Sequence, residues 1–396
     1  MVQCTKYQVR SRDSNLDQNV ASEESCLPTA GRAHSTSYFV PSIIRRKIIL
    51  NPQTPCRNRA YVMENTQNKP YRILLYYCYA SISDPQAYRE EHHLFCAKNN
   101  IRGRIIVSDE GLNGTVSGLA EDCDAYMAYV KNDPRFAATE FKIDSHEQHA
   151  FAKIHVRYKP EIVHSSLRHL DPNVRTGKHL EPADFKQLKD EEDVVILDVR
   201  SKYEHDLGHF KNAITLDIDN FRDFPERVRE LAHLKNKKVL TYCTGGIKCE
   251  KASAYLLEQG FEDVYQLHGG IIKYGMEVGG EDFEGKCYVF DNRIAVDVNQ
   301  VNPCVVSSCH VCNNPSDRMV NCANPSCNDH LAICEACGWE LEGACSPACQ
   351  ADPNKRHYDG TGTYQKISNG YNPFLSLHRD AAKDRTKTSH DQPANS

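Results

Sequence analysis

What most limits the fold of this chain is a short apolar run that ends in a cysteine and turns on two glycines into a helix former. Residues 239–242 (Val, Leu, Thr, Tyr) read as a strand, Cys243 follows, and Thr244, Gly245, Gly246, Ile247 and Lys248 lead into a helix-forming segment over 250–259. A thiol in that position meets converging backbone N–H groups and the positive end of a helix dipole. Such a setting favours thiolate and moves a cysteine from about 8.5 to roughly 3.5–7.5. Gly245 and Gly246 are expected to take positive φ and turn their amides inward as an anion cradle. The plainer alternative is a strand-end cysteine that merely fills a core.

A second motif lies upstream. Residues 194–198 read as a buried strand ending in Asp198, followed by Arg200, Glu204 and a Gly208-His209 pair; residues 264–271 continue the pattern with Gly269 and Gly270. In this order the signals resemble a rhodanese domain. That resemblance implies that Cys243 carries a persulfide and that Asp198 and Arg200 support the fold around its loop. The loop runs six residues, from Cys243 to Lys248. Related dual-specificity phosphatases use one residue more and end on an arginine that grips phosphate bidentately. Cys249 occupies that place here, which argues against phosphatase chemistry. Lys248 stands where related sequences often carry arginine; it keeps the charge and loses the planar fork.

With 396 residues the chain has room for two or three domains. Its net charge of −5 offers no global basic field, which excludes a non-specific polyanion binder but leaves room for a shaped tRNA site. No apolar run of about 18 residues is present, so no membrane span is expected. Of the 18 cysteines, nine follow residue 300 in paired spacings, a pattern of metal binding in a reducing, cytoplasmic setting rather than of secreted disulfides. The pairs are Cys309 with Cys312, Cys322 with Cys327, Cys334 with Cys337, and Cys345 with Cys349. Eight thiolates suit two tetrahedral zinc ions. A cross-braced pairing, first with third and second with fourth, is preferred; a sequential one stays open, with His310 and His330 as spare ligands. Disulfides and an iron–sulfur cluster are the competing readings. All four pairs look saturated, so the zinc is expected to be structural. A unit of this size has too little core to fold without metal.

The expected layout is α+β followed by α/β. Residues 1–69 are polar and weakly periodic, an extension or disordered segment whose first 62 residues are open to mis-assignment. Residues 70–160 read as β-α-β-β-α-β, a ferredoxin-like (acylphosphatase-like) sandwich. A linker covers 161–181, a rhodanese-like domain with a parallel sheet 182–280, a cysteine-rich zinc module 281–351, and a flexible tail 352–396.

Several further stretches extend the resemblance: Asp109-Glu110-Gly111-Leu112-Asn113-Gly114-Thr115, Phe141 to Asp144, Glu161 to Val163, Asp171-Pro172-Asn173, Thr176-Gly177-Lys178, the loop through Ala252, and Leu267 to Gly275. With the cysteine-rich end, the chain from about 70 to 350 resembles the bacterial rhodanese-domain tRNA uridine hydroxylases. The resemblance implies 5-hydroxylation of the wobble uridine, position 34, in the anticodon loop of tRNA, with molecular oxygen as co-substrate and Cys243 as the active cysteine. Neither DNA nor a membrane is an expected partner. Chemically, a thiolate adding to C6 of uracil would raise electron density at C5, where oxygen attacks. No flavin fingerprint, haem ligand pattern or two-His-one-carboxylate set is evident. Arg102, Arg104 and Lys142, near aromatic positions, are candidate RNA contacts or simply solvated strand edges. A sulfurtransferase moving sulfur from thiosulfate or a persulfide is the alternative function, and an inert adaptor a third. Among single residues, His209 is expected to be structural, Cys249 a packed residue or a resolving thiol, Cys78, Cys96 and Cys123 core fillers, and Trp339 the anchor of the zinc module.

Overall fold

The computed structural model describes residues 69–364; the expectations for residues 1–68 and 365–396 lie outside the described residues. The first unit contains β1 (Tyr71–Tyr79), α1 (Pro85–Lys98), β2 (Arg102–Ser108), β3 (Gly111–Leu119), α2 (Ala120–Asn132), β4 (Lys142–His146) and β5 (Ile154–Tyr158). Its sheet runs β4-β1-β3-β2-β5. This is the ferredoxin-like sandwich with an extra edge strand, β5, parallel to β2. Helix α1 starts where local chemistry dictates: the Asp84 carboxylate accepts the Ala87 N–H at 3.0 Å, and Pro85 occupies the first turn. The hairpin between β2 and β3 pairs Ser108 with Gly111, so the turn is only Asp109 and Glu110. Residues 111–114 are therefore already strand.

Side chains alternate across β1. Leu74 and Tyr76 pack under the two helices with Ile105, Val107, Val116 and Tyr126. Each such fully buried side chain contributes about 1.5–3 kcal/mol. The alternate residues, Leu75, Tyr77 and Tyr79, fall on the face that the helices leave open.

The second unit contains β6 (Lys178–Leu180), α3 (Pro182–Leu188), β7 (Val194–Asp198), α4 (Lys202–His205), β8 (Gly208–Phe210), α5 (Phe224–Arg227), β9 (Lys238–Tyr242), α6 (Ile247–Glu258), β10 (Asp263–Leu267) and α7 (Gly270–Val278). Strands β6-β10-β9-β7 form a parallel sheet. It has a core on each face: Val239, Cys249, Ala252 and Leu256 on one, Phe185, Leu240, Tyr242, Ile271 and Tyr274 on the other. Apolar layers on both sides are what a buried parallel strand requires, and they explain the continuous apolar runs of β7 and β9.

Beyond α7 come β11 (Phe283–Gly285), β12 (Cys287–Tyr288), β13 (Ala295–Val296), β14 (Met319–Asn321), β15 (His330–Ala332), α8 (Glu335–Glu340) and α9 (Pro347–Gln350). Strand β11 pairs with β8, and Phe283, Cys287 and Val298 join the α/β core. Residues 281–298, expected in the cysteine-rich module, therefore pack with the α/β unit. At the far end, residues 352–364, expected to begin a flexible tail, run back over the module: Tyr358 is buried and Arg356 donates to the Cys322 carbonyl and to Asn328 Oδ1. Trp339 is 53% exposed and touches Tyr358 edge-on, so it does not anchor this module.

Candidate active site

Strand β9 delivers Cys243 into the loop and α6 begins at Ile247, earlier than the segment expected from helix formers. Gly246 caps the helix at φ +103° and sends its N–H to the Cys243 sulfur at 3.2 Å. Gly245 does not share the positive φ. It is required for space instead, since a Cβ there would lie 2.8 Å from Leu75 Cδ2. Cys243 itself is 1% exposed. Burial alone would raise its pKa. The Cys249 thiol, the Lys248 charge and the N–H groups of Cys249 and Gly246 more than offset that and bring it down to about 7. Cys249, on the first turn of α6, is pushed well up by burial and by the Cys243 sulfur. Both thiols lie in one core.

Under the loop, Asp198 and Arg200 form a wholly buried pair. The guanidinium donates to both carboxylate oxygens, at 2.9 and 2.6 Å, and to the Gly208 carbonyl at 2.7 Å. The Arg200 N–H adds another bond to Asp198 at 2.9 Å. Arg200 also lies over the rings of Tyr242 and Phe283, which ties β7, β8, β9 and β11 together. Lys248 at the loop's end is ion-paired with the buried Glu204. Glu204 also accepts the Ser201 N–H in a capping box, which holds it still. The lysine therefore faces inward, its charge matched by a carboxylate that the sequence placed 44 residues earlier.

The open face of the sandwich covers the loop. Leu75 packs over Gly245 and Tyr77 over Gly246. The Tyr77 hydroxyl donates to Glu250 at 2.9 Å, while His179, Gln266 and Thr176 also bond this carboxylate, at 2.9, 3.0 and 3.1 Å. Lys251, with no exposed side chain, donates to Glu110 at 2.8 Å and to the Leu170 carbonyl at 2.6 Å. Glu250 and Lys251 read in sequence as ordinary helix formers. They are the polar clasp between the two units, and two adjacent charges on the first turn behind the loop were the only signal.

Beside Thr244 a cavity of about 40 Å³ separates the sandwich from the α/β unit; Thr115, Lys142, Asp144, Phe290 and Arg293 line it. It has room for water but not for a nucleobase. Lys142 is set opposite Leu75 across β1 and β4, so it shares the covered face. The lysine read as an RNA contact or solvated edge is thus buried, 7% exposed, with its ammonium 5.1 Å from the Tyr77 ring centre and no hydrogen-bond or ion-pair partner among the described residues. Burial pulls it below the usual lysine range, while Glu140 and Cys243 pull it back. Arg102 and Arg104 are exposed, and Arg104 reaches the Phe290 carbonyl at 3.4 Å. Cys96 and Cys123 are buried in the sandwich core, Cys78 partly. His209 bonds the His205 carbonyl at 2.8 Å.

In the C-terminal module the eight cysteines gather into two sets. Cys309, Cys312, Cys334 and Cys337 form one, and Cys322, Cys327, Cys345 and Cys349 the other, each with its sulfurs within 4.8 Å of one another. First pair meets third and second meets fourth, the cross-braced arrangement; His310 and His330 belong to neither set. A tetrahedral ion with metal–sulfur bonds of about 2.3 Å needs sulfurs about 3.8 Å apart. Cys312 to Cys334, Cys327 to Cys345 and Cys345 to Cys349 are each 3.7 Å. The Cys334 and Cys345 N–H groups point at Cys309 and Cys322 sulfurs, at 3.3 and 3.4 Å, as thiolates would favour. Both sets fit a metal ion.

Residues 71–162 match the UPF0176 acylphosphatase like domain, 181–277 the rhodanese-like domain and 284–350 the rhodanase C-terminal family. A tRNA uridine(34) hydroxylase of Cytophaga hutchinsonii is 69% identical over 311 residues, covering 78% of this chain and 100% of the relative. One from Bacillus thuringiensis is 50% identical over 293 residues, covering 73% of this chain and 92% of its own length. Among solved structures, the rhodanese-like domain of an Anabaena protein is 25% identical, with a TM-score of 0.23, covering 28% of this chain and 80% of that one. Among the described residues no helix is long and apolar enough to cross a membrane.

Proposed function

The chain belongs to the tRNA uridine(34) hydroxylase family, and from that premise we propose that it hydroxylates C5 of the wobble uridine in the tRNA anticodon loop, with molecular oxygen as co-substrate and Cys243 as the reacting group. The observation that carries this reading is a thiol with pKa near 7, in an amide-lined loop, closed over by a second domain that presents a buried ammonium. At neutral pH a large share of Cys243 is thiolate and adds to C6 of the uracil ring. Negative charge then develops on the O4 carbonyl, and the Lys142 ammonium, on the sandwich face, is the donor that receives it when the sandwich closes back over the bound ring. C5 becomes electron-rich and takes up oxygen.

The remaining loop residues hold this arrangement. Thr244, Gly245 and Gly246 leave space for a flat ring once the sandwich moves off the loop, Ile247 starts the helix whose dipole faces the thiolate, and Lys248 adds positive charge. Asp198 and Arg200 keep β7 and β9 in register beneath it. The two cysteine sets hold zinc as structural ions; four thiolates each leave no open position for substrate. The protein works in the cytoplasm, where tRNA and reduced thiols occur together.

The test is nucleoside mass spectrometry of tRNA from cells lacking the protein, complemented with wild type or Cys243→Ala. The 5-hydroxyuridine signal is expected to vanish on deletion and return only with wild type. An unchanged signal accompanied by loss of a thiolated nucleoside would instead identify a sulfurtransferase.

A further inference from the structure

Resting on the hydroxylase reading, the geometry points to Cys249 as the redox partner of Cys243: we propose that the two thiols together supply the electrons for hydroxylation and end the turnover as a disulfide. The need for such a source follows from stoichiometry. Oxygen takes up four electrons when one atom enters a C–OH group and the other leaves as water. Oxidation of the C5–H bond supplies two. The other two require a reductant, and no flavin or haem motif is present in this chain.

The loop places one within reach. Cys243 and Cys249 bracket the turn, belong to one core cluster, and each sulfur acts on the other's titration. The Cys249 N–H returns to the Gly246 carbonyl at 3.0 Å, and the Gly246 N–H to the Cys243 sulfur at 3.2 Å, so the backbone itself draws the two ends together. Cys249 is 0% exposed, so solvent and bulky external thiols do not reach it directly. The reaction balances as follows: uridine C5–H, one O₂ and two thiols give C5–OH, one water and one Cys243–Cys249 disulfide. The O–O bond breaks, the C5–O and S–S bonds form, and the two thiol protons with two electrons leave in the water. Any covalent bond between Cys243 and C6 is broken before the disulfide closes. An external thiol then reduces the pair for the next turnover.

Wild-type protein, reduced and freed of added thiol, is mixed in air with excess tRNA carrying unmodified uridine 34. One equivalent of 5-hydroxyuridine per protein is expected, together with a Cys243–Cys249 disulfide found by peptide mapping; dithiothreitol turns this into repeated turnover. Cys249→Ser is expected to lose that first equivalent at least tenfold, while its melting temperature stays near wild type and Cys243 still reacts with a small alkylating agent. Product formed with both thiols free in wild type, or a full equivalent from Cys249→Ser, would overturn the assignment. Wild type that makes no 5-hydroxyuridine even with dithiothreitol would bring down the hydroxylase reading itself. Peptide mapping of wild type decides the matter even should the variant misfold.

Discussion

Around Cys243 the chain surrounds one thiol with apolar side chains and matched charges, whereas between Cys309 and Cys349 it surrounds a few apolar residues with thiols. In the first region two cores and the sandwich face enclose the loop, and among the described residues its charges are matched, Arg200 with Asp198, Lys248 with Glu204 and Lys251 with Glu110, while Lys142 is not. In the second, the cores hold little beyond Val320, Ile333, Leu341 and Ala344 besides the cysteines. Area burial stabilises the one; ligand bonds must stabilise the other. The lesson is that cysteine does opposite work in a single chain. On the reading proposed above, it is reactive where packing has already fixed the fold, and structural where packing cannot.

The widest gap between the regions should open on metal removal. A strong chelator is expected to unfold residues 304–364, because each structural site contributes on the order of 10–16 kcal/mol apparent, while the sandwich and the α/β unit keep their protection. Hydrogen exchange read by peptide would show it, and equal loss of protection over residues 71–280 would break the comparison. Next in size, Arg200→Met strands the buried Asp198 carboxylate and should cost about 3–5 kcal/mol of stability, measured as a drop in urea midpoint with the metal content unchanged.

Lys142→Met separates function from packing within the first region. It removes an unpaired buried charge, so thermal stability should hold or rise, while 5-hydroxyuridine formation falls on the order of 100-fold. A parallel loss of melting temperature would mean that the lysine only supports the sheet. The smallest effect is a pH profile. Cys243 is lowered to about 7, so its thiolate is abundant above that pH and lost below it; single-turnover rate should fall roughly tenfold per pH unit on the acid side. In Lys248→Met the midpoint should move up, since the nearby positive charge is gone.

Much of this was legible from local pattern. The Asp84 cap, the strand–cysteine–glycine–helix turn and the cysteine spacings each depend on residues a few positions apart, so sequence alone locates them. What stayed hidden depends on which distant surfaces meet. The reading of both loop glycines as positive-φ residues failed at Gly245 because its need for a small side chain comes from Leu75, in another domain. Lys142 read as a surface cation because alternation along β4 says which residues share a face, not whether that face is later covered.

Propensity, capping and ligand spacing act over short stretches of chain, so the elements, the cysteine loop and the eight candidate metal ligands could be read before any fold was known. Packing of distant parts settled the rest: that the sandwich closes over Cys243, that Glu250 and Lys251 fasten it, and that the cysteine pairs cross-brace. The first two outcomes come from shape and charge matching between segments 70 to 180 residues apart, such as Tyr77 with Glu250, at a separation of 173, and the third from cysteines that the module's own fold brings together. No local preference encodes such a contact, because its free energy exists only once both surfaces are already folded.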